Sequence, residues 1–599
     1  MLAKRFISHS CGCLGQRTIR VASRWAHARL GGHLSASLSS SSMSDVQKLA
    51  SALLVKRGRR RSGDLEELPE ELVTRFCEGY SALPKDERER LLLFLARHLG
   101  MPPAEAVVAA ADRFKAAVDI AGAAGSAATS GTAHQRSPRS SRTETAAAYT
   151  RLREETAPLS DALFTQIVAL SDAGVEFLVA LRADLVATIY RHSGGAAAAA
   201  APAGAATGPR PAAAATDLPA LRALDRGLRA LLQGWFSMGF LELRRITFEK
   251  SGGAVLEKIA RYEAVYAFTS LAELKARLGA GRRCFAFFHP CLPDEPLVFV
   301  HVALLPRLPA ALTDIAAGTA PAGAAAAARV AAFYSISATQ RGLSGVQLGH
   351  SLIRRVVASL RADLPRLETF ATLSPVPGLQ AWLAATVARR STLGAGNRLA
   401  GEPLLRPAEA AAVAEMLAAR GSGSGGGKSA GTGGEEAGLM GNKSDGDGAD
   451  LLRLLDGPWH EDTATAARLR PIVLRLAAAY LLGLRRRDRV MDPVGNFHIS
   501  NGASVERLNW LADPSPKGLS QSFGVMVNYL YRADRIAENG RAYATRGEVA
   551  AARRVVALLA ADSGGESGTV MVAAAATAAE AAEAALPPTR MYDDDVEEE

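Results

Sequence analysis

The sequence predicts two folded parts in series, an all-helical first half followed by an α/β second half. Up to Trp235 apolar residues recur at helical spacing, with Leu72, Phe76 and Tyr80 four positions apart. Beyond Trp235, short runs rich in β-branched and aromatic residues alternate with helical stretches. Segments of Gly, Ala, Pro and Ser interrupt both halves, and such low-complexity stretches cannot build a packed core.

Residues 1–44 contain Lys4, Arg5, Arg17, Arg20, Arg24 and Arg29, no acidic residue, and a serine run at Ser39–Ser42. That is the composition of an organelle transit peptide, expected to be disordered. Arginines recurring among Leu, Ile, Val and Trp suit an amphipathic basic helix and make the mitochondrial matrix the first expectation; a plastid leader shares the composition. A helical domain is expected over 45–231. Its periodicity begins at Asp64, breaks at Pro84, resumes over Leu91–Leu99 and stops at Pro102-Pro103. Further helices are expected at 104–119, 144–156, 159–190 and 217–236, with flexible linkers at 121–143 and 191–217.

The α/β domain is expected over 232–561. Strands read at Cys284–Phe288, Leu297–Leu305, Val330–Ser337 and Leu367–Leu373, with helices at 271–278 and 345–360. Insertions at 306–328 and 420–449 read as surface loops, whose length costs stability only slowly. The segment 562–599 reads as a disordered acidic tail without a C-terminal Ser-Lys-Leu peroxisomal signal.

Composition removes several function classes. The net charge of +10 over 599 residues would suit nucleic acid if it lay on one folded face, but much of it lies within 1–44. The basic runs Lys56–Arg61 and Arg485–Arg489 lack interleaved aromatic residues and read as solvated faces, so no nucleic-acid partner is expected. The apolar stretch Ala162–Tyr190 carries Asp172, Glu176, Arg182 and Asp184, so no membrane insertion is expected. Cys11, Cys13, Cys77, Cys284 and Cys291 fit neither a disulfide framework nor a zinc site, which points to a reducing compartment and to no metal.

Three segments could carry chemistry. From Phe333 to Gly349 a strand runs into a turn punctuated by Gly342 and Gly345, then into a helix with Leu348, Leu352, Val356 and Leu360 on one face. Such a junction leaves backbone N–H groups free at a helix start, where a phosphate binds, although a plain structural turn has the same local pattern. It is neither a Walker loop nor a dinucleotide fingerprint. In Thr372-Leu373-Ser374-Pro375-Val376-Pro377-Gly378, two prolines would hold Ser374 on a rigid corner, or the serine simply caps its own turn. His498 lies between Phe497 and Ile499 ahead of Asn501-Gly502, a setting that fits a core histidine as well as a catalytic one.

Taken in order, F-Y-S-I-S-x-T-Q-x-G-L-x-G-V-x-L-G from Phe333, L-S-P-x-P-G from Leu373 and D-P-V-x-N-F-H-x-x-N-G-A from Asp492 resemble the malonyl-CoA decarboxylase family. The likeness begins near Gly234-Trp235-Phe236 and Arg282-Arg283-Cys284. It continues through Asn509–Asp513 and Asn528–Tyr531, covering about 232–535. The resemblance implies that the second domain is GNAT-like (acyl-CoA N-acyltransferase-like), with a mixed sheet that splays to admit coenzyme A. It implies malonyl-CoA as substrate, held by Ser344, Gly345, Val346, Gln347, Leu348, Gly349 and His350. Ser374 and His498 match the family's catalytic serine and histidine, with Asn496 and Tyr531 as supporting residues, and a homotetramer is implied. Electrons left by carbon dioxide delocalise into the thioester, so the chemistry asks for no cofactor. The family usually has Glu where this chain has Gln347. Competing readings are a GNAT-type acyltransferase, a non-catalytic acyl-CoA-binding regulator and a Ser-His thioester hydrolase, the last lacking a G-x-S-x-G elbow at Ser374.

Overall fold

A computed structural model describes residues 47–48, 50, 70–100, 104–127, 138–171, 173–193, 212–237, 239–263, 265–316, 323–346, 348–393, 403–422, 448–486, 488–560 and 569–572. The expected transit peptide at 1–44, most of the 191–217 and 420–449 segments, and Gln347 lie outside the described residues. The described chain forms two compact units, one from Met1–Gly174 with Pro219–Leu224, the other from Val175–Leu218 with 225–599.

The first unit contains α1 (Glu70–Ala82), α2 (Lys85–Leu99), α3 (Ala104–Ala127), α4 (Pro138–Thr156) and α5 (Leu159–Leu170). Pro84 separates the first two, because it has no N–H to continue a helix and its fixed φ suits the start of the next. Both pack on α5, burying Phe76, Tyr80, Leu91, Leu95, Phe164 and Ile167. The stretch Lys85–Ile120 is long and apolar enough to cross a membrane, which the sequence reading did not pick out; Leu91, Leu92, Leu95 and Leu99 on it are buried. α3 and α4 pair as a hairpin through the Arg113–Glu155 ion pair and the Phe114 and Tyr149 rings, 6.1 Å apart. The expected linker at 121–143 therefore contains the end of one helix and the start of the next.

The single helix expected at 159–190 is two. α5 stops at Leu170, and α6 (Gly174–His192) begins where a Cβ on Gly174 would lie 2.2 Å from the Ile167 carbonyl oxygen. From Val175 onward α6 belongs to the second unit, as does the latter part of α7 (Ala212–Trp235). The compact units thus part at 174/175, ahead of the sequence boundary expected at 231/232. One cause is Arg182, only 2% exposed, whose Nε donates to Asp225 at 2.8 Å while Nη1 donates to the Gly342 carbonyl at 2.6 Å.

The second unit is built on a mixed sheet. Its strands are β1 (Glu242–Ile246), β2 (Arg282–Phe288), β3 (Val298–Leu305), β4 (Val330–Ala338), β5 (Thr369–Thr372) and β6 (Ser374–Pro375); a small hairpin of β7 (Arg485–Arg486) and β8 (Arg489–Val490) stands apart; and β9 (Ser504–Asn509), β10 (Met526–Leu530), β11 (Val549–Ala552) and β12 (Thr569–Val572) complete the set. The spatial order is β1-β2-β3-β4-β5-β10-β9-β11-β12, with β6 also on β10. β4 and β5 are parallel, but their pairing covers only Val330–Phe333 against Thr369–Thr372, and Tyr334–Ala338 run on without β5. The sheet therefore opens at that point. β12 corrects the expectation of a wholly disordered tail, because Thr569–Val572 pair antiparallel with the edge strand β11.

Helices cover the sheet's β1–β4 half. α8 (Gly253–Tyr262) and α9 (Leu271–Leu278) bury Leu256, Ile259, Leu274 and Leu278 against Cys284, Ala286, Phe288 and Phe299. Part of the 306–328 insertion is ordered, correcting the loop expectation: α10 (Leu312–Ala316) is tied to the sheet domain by the Leu312 N–H on the Ala512 carbonyl at 2.9 Å, and α11 (Ala324–Ala327) follows. After the turn at Gly345, α12 (Gly349–Asp363) buries Leu352, Ile353, Val356 and Leu360, and its Arg355 lies over the Phe287 ring at 5.3 Å.

Candidate active site

The sheet's middle supplies the first catalytic candidate. β5 ends at Thr372, and the chain bends at buried Leu373 so that Ser374 pairs with Val527 on β10. Pro375 and Pro377 then fix the backbone until α13 (Leu379–Leu393) begins. Ser374 is held on the corner that the proline spacing predicts, and it is 6% exposed.

The second candidate stands on a short helix, following α14 (Pro407–Ser422), α15 (Ala449–Leu455) and α16 (Thr463–Ala478), the last of which runs into a π-type turn at Ala479–Gly483. Asp492 caps α17 (Pro493–Ser500) by accepting the Gly495 N–H at 2.7 Å, and Pro493 occupies the first turn, where a missing N–H costs nothing. His498 follows, only 3% exposed. Its Nε2 lies 3.0 Å from Ser374 Oγ and its Nδ1 lies 2.8 Å from the Tyr531 hydroxyl. Tyr529 stacks on the imidazole, centroid to centroid 4.7 Å, and Tyr531 meets Phe333 edge to face at 6.2 Å. Residues far apart in sequence thus converge on one ring.

Electrostatics follow from burial. The His498 imidazole is pushed down to about 3 because no water solvates its cation. In the free site the ring is therefore neutral. The same burial pushes the Tyr529 and Tyr531 phenols well above their usual range, so both keep their protons. A protonated Tyr531 phenol on Nδ1 favours the tautomer with its hydrogen on Nε2, facing Ser374.

The Gly-punctuated turn reaches the same site. Gly345 has φ +75, in the left-handed region that glycine enters freely, and Ser344, Val346 and Leu348 lead into α12. A Cβ on Gly349 would lie 2.6 Å from Phe497 Cε2, so this helix start packs directly on the residue before His498. A Cβ on Gly342 would lie 1.8 Å from the Val179 carbonyl oxygen, and with the Arg182 bond this braces the turn on α6. His350 lies in the first turn of α12. Asn496 turns elsewhere, accepting the Tyr543 hydroxyl at 2.7 Å from α19 (Ile536–Arg546), which follows α18 (Pro516–Ser522).

Sequence reading missed Arg182, Asp225, Asp492 and Tyr529. Arg182 and Asp225 stand on separate helices, and no local pattern pairs them. Asp492 was visible as the residue before Pro493 at a helix start, a capping signature. Tyr529 carried a weaker signal, its alternation with Tyr531 along one strand face.

Comparison with known proteins extends the match beyond the site. Residues 239–568 match the family model described as malonyl-CoA decarboxylase C-terminal domain, and residues 129–236 match that for the N-terminal domain. The mitochondrial malonyl-CoA decarboxylase of the goose Anser anser anser is 33% identical over 67% of this chain and 69% of its own length. That of Rattus norvegicus is 34% identical over 67% and 71%. The crystal structure of malonyl-CoA decarboxylase from Rhodopseudomonas palustris superposes with a TM-score of 0.63 at 32% identity, covering 86% of this chain and 94% of its own; that from Agrobacterium vitis gives 0.62 at 31%, covering 86% and 100%. The chain belongs to the malonyl-CoA decarboxylase family and is a carboxy-lyase.

Proposed function

We propose that Ser374 and His498 carry the decarboxylation of malonyl-CoA to acetyl-CoA and carbon dioxide. The observation that carries this reading is the 3.0 Å contact between Ser374 Oγ and His498 Nε2 in a nearly dry site, with Tyr531 on the other ring nitrogen. The turn from Ser344 to His350 holds the coenzyme A pyrophosphate on the free N–H groups at the start of α12. Support for that placement is the contact of Gly349 with Phe497, which sets the turn beside the Ser–His pair, and the opening of the sheet after Phe333, which suits a GNAT-like acyl-CoA cleft.

The reaction needs one bond broken and one proton supplied. The C–C bond to the carboxylate breaks, its electron pair moves into the thioester, and the resulting enolate takes a proton at carbon. A negative malonyl carboxylate beside His498 favours the imidazolium, so substrate entry and proton uptake are coupled. Ser374 donates to the carboxylate and orients it for departure as neutral carbon dioxide. The charge then lies on the enolate, which His498 protonates, and the ring returns to the neutral state that burial prefers. Tyr531 holds the ring throughout.

The same reading takes the chain to the mitochondrial matrix as a homotetramer. The acid-free basic leader at 1–44 and the names of the goose and rat relatives support the mitochondrion. The test is incubation with malonyl-CoA and no added metal, following carbon dioxide, acetyl-CoA and free CoA together. Equal carbon dioxide and acetyl-CoA establish the reaction; free CoA without carbon dioxide means a hydrolase, and binding without products means a regulator.

A further inference from the structure

The serine and histidine come from different elements, so something must set the distance between them. Asp492 touches both elements. It is fully buried, and one carboxylate oxygen accepts the Gly495 N–H at 2.7 Å, at the head of the helix that carries His498. The other accepts the Gly378 N–H at 3.3 Å, at the end of the rigid Pro375–Pro377 turn that carries Ser374. Both donors are glycines for a steric reason. A Cβ on Gly378 would lie 2.1 Å from the Tyr480 hydroxyl, and one on Gly495 would lie 3.0 Å from the Tyr529 hydroxyl.

We infer that Asp492 is a positioning residue for the decarboxylation, its carboxylate bridging the Ser374 turn to the His498 helix and so fixing the Ser374–His498 separation. The inference rests on the proposed roles of that pair. Among the described residues no Lys or Arg forms an ion pair with Asp492. The titratable groups facing it are the Tyr480 and Tyr529 hydroxyls, from the π-type turn and from β10, both protonated. Backbone N–H groups alone therefore balance a carboxylate out of water, and burial holds it up at about 6. Above that pH the ionised group accepts both bonds. Below it, one oxygen carries a proton and accepts poorly, so the bridge weakens as the solution is acidified.

The test is steady-state decarboxylation by the full chain across pH, comparing the wild type with Asp492→Asn and Asp492→Ala. Asn keeps the size and one acceptor but does not titrate. Small displacements at a reacting pair cost up to about 100-fold in rate, so kcat is expected to fall between about 10-fold and about 100-fold in D492N with KM held within ~2-fold. The wild type should lose kcat as pH falls through about 6, a limb that His498 does not produce because an imidazolium acid loses activity only as pH rises, and D492N should lack it. Crystal structures of the wild type and D492N then read the Ser374 Oγ to His498 Nε2 distance, expected to lengthen from 3.0 Å. If the wild type releases no carbon dioxide, the catalytic reading fails while this distance still tests the bridge. A D492N enzyme with wild-type kcat, with the acid limb intact, or with the pair unmoved overturns the inference. Should D492A fail to fold, the isosteric D492N carries the test.

Discussion

Replacing Tyr531 with Phe removes one hydroxyl and little else. The ring keeps its edge-to-face contact with Phe333, and a side chain 2% exposed leaves no path for water to replace the lost group. His498 Nδ1 then loses its 2.8 Å partner inside a dry pocket. Leaving a buried nitrogen unpaired costs about 1–3 kcal/mol. Where that cost falls depends on the charge of the ring. In the free site the imidazole is neutral, held down to about 3, and the bond is an ordinary one. In the proposed mechanism substrate entry makes the ring an imidazolium whose Nδ1 hydrogen the Tyr531 oxygen accepts, and such charge-assisted bonds are about twice as strong. Most of the loss therefore belongs to the charged, substrate-bound ring. At about 1.4 kcal/mol per decade, kcat/KM for malonyl-CoA should fall by about 5-fold to about 150-fold. The assay is continuous acetyl-CoA formation near neutral pH, with urea denaturation of the same samples. A Y531F enzyme with kcat/KM within ~2-fold of wild type, or one whose loss appears wholly in stability, would refute the role of Tyr531 in charging the ring.

Ser374→Ala and His498→Asn, made separately, should each lower kcat by about 100-fold to about 10,000-fold while leaving the fold intact, read as carbon dioxide release alongside circular dichroism. Gly349→Ala drives a methyl against Phe497 Cε2 at 2.6 Å and should cost about 1–3 kcal/mol in urea melts, with a raised KM if the displaced helix start holds the substrate as proposed. Arg182→Met removes donors from Asp225 and from the Gly342 carbonyl and should destabilise the protein by about 3 kcal/mol, with Arg182→Lys in between. His301, fully buried 3.4 Å from Glu263, is held down to about 3, so the unfolded chain takes up its proton first as pH falls. Its neutral form gives full stability above about pH 6.5 and loses about 1.4 kcal/mol per pH unit on the way down; His301→Gln should flatten the acid side of the stability curve by that slope.

Much of the architecture is local and was legible. Pro84 ends one helix and starts the next because a proline lacks an N–H wherever it sits, and the strands around Cys284–Phe288 and Val330–Ser337 announce themselves through composition. Strands β9 and β10 were not read as strands, although their residues carried the family motif. Ser504–Asn509 and Met526–Leu530 mix polar and apolar residues because Arg507 and Asn509 both donate to Asn528 Oδ1 inside the sheet. The break between α5 and α6 was missed for a similar reason: the apolar pattern continues across it, and only the crowding of Gly174 on Ile167 shows where the helix stops.

By itself the sequence determined which residues could act: a serine ahead of two prolines, a histidine ahead of an Asn-Gly pair, glycines at a helix start, and the motif order that marks the family. Those choices depend on local backbone constraints and side-chain chemistry, which a chain carries unfolded. Only the tertiary structure decided that Ser374 meets His498, that Tyr531 takes the other nitrogen, that Asp492 touches both elements, and that the ring is neutral at rest. Each of these depends on distance through space or on exclusion of water. Neither exists until the sheet, the proline turn and the short helix are packed together.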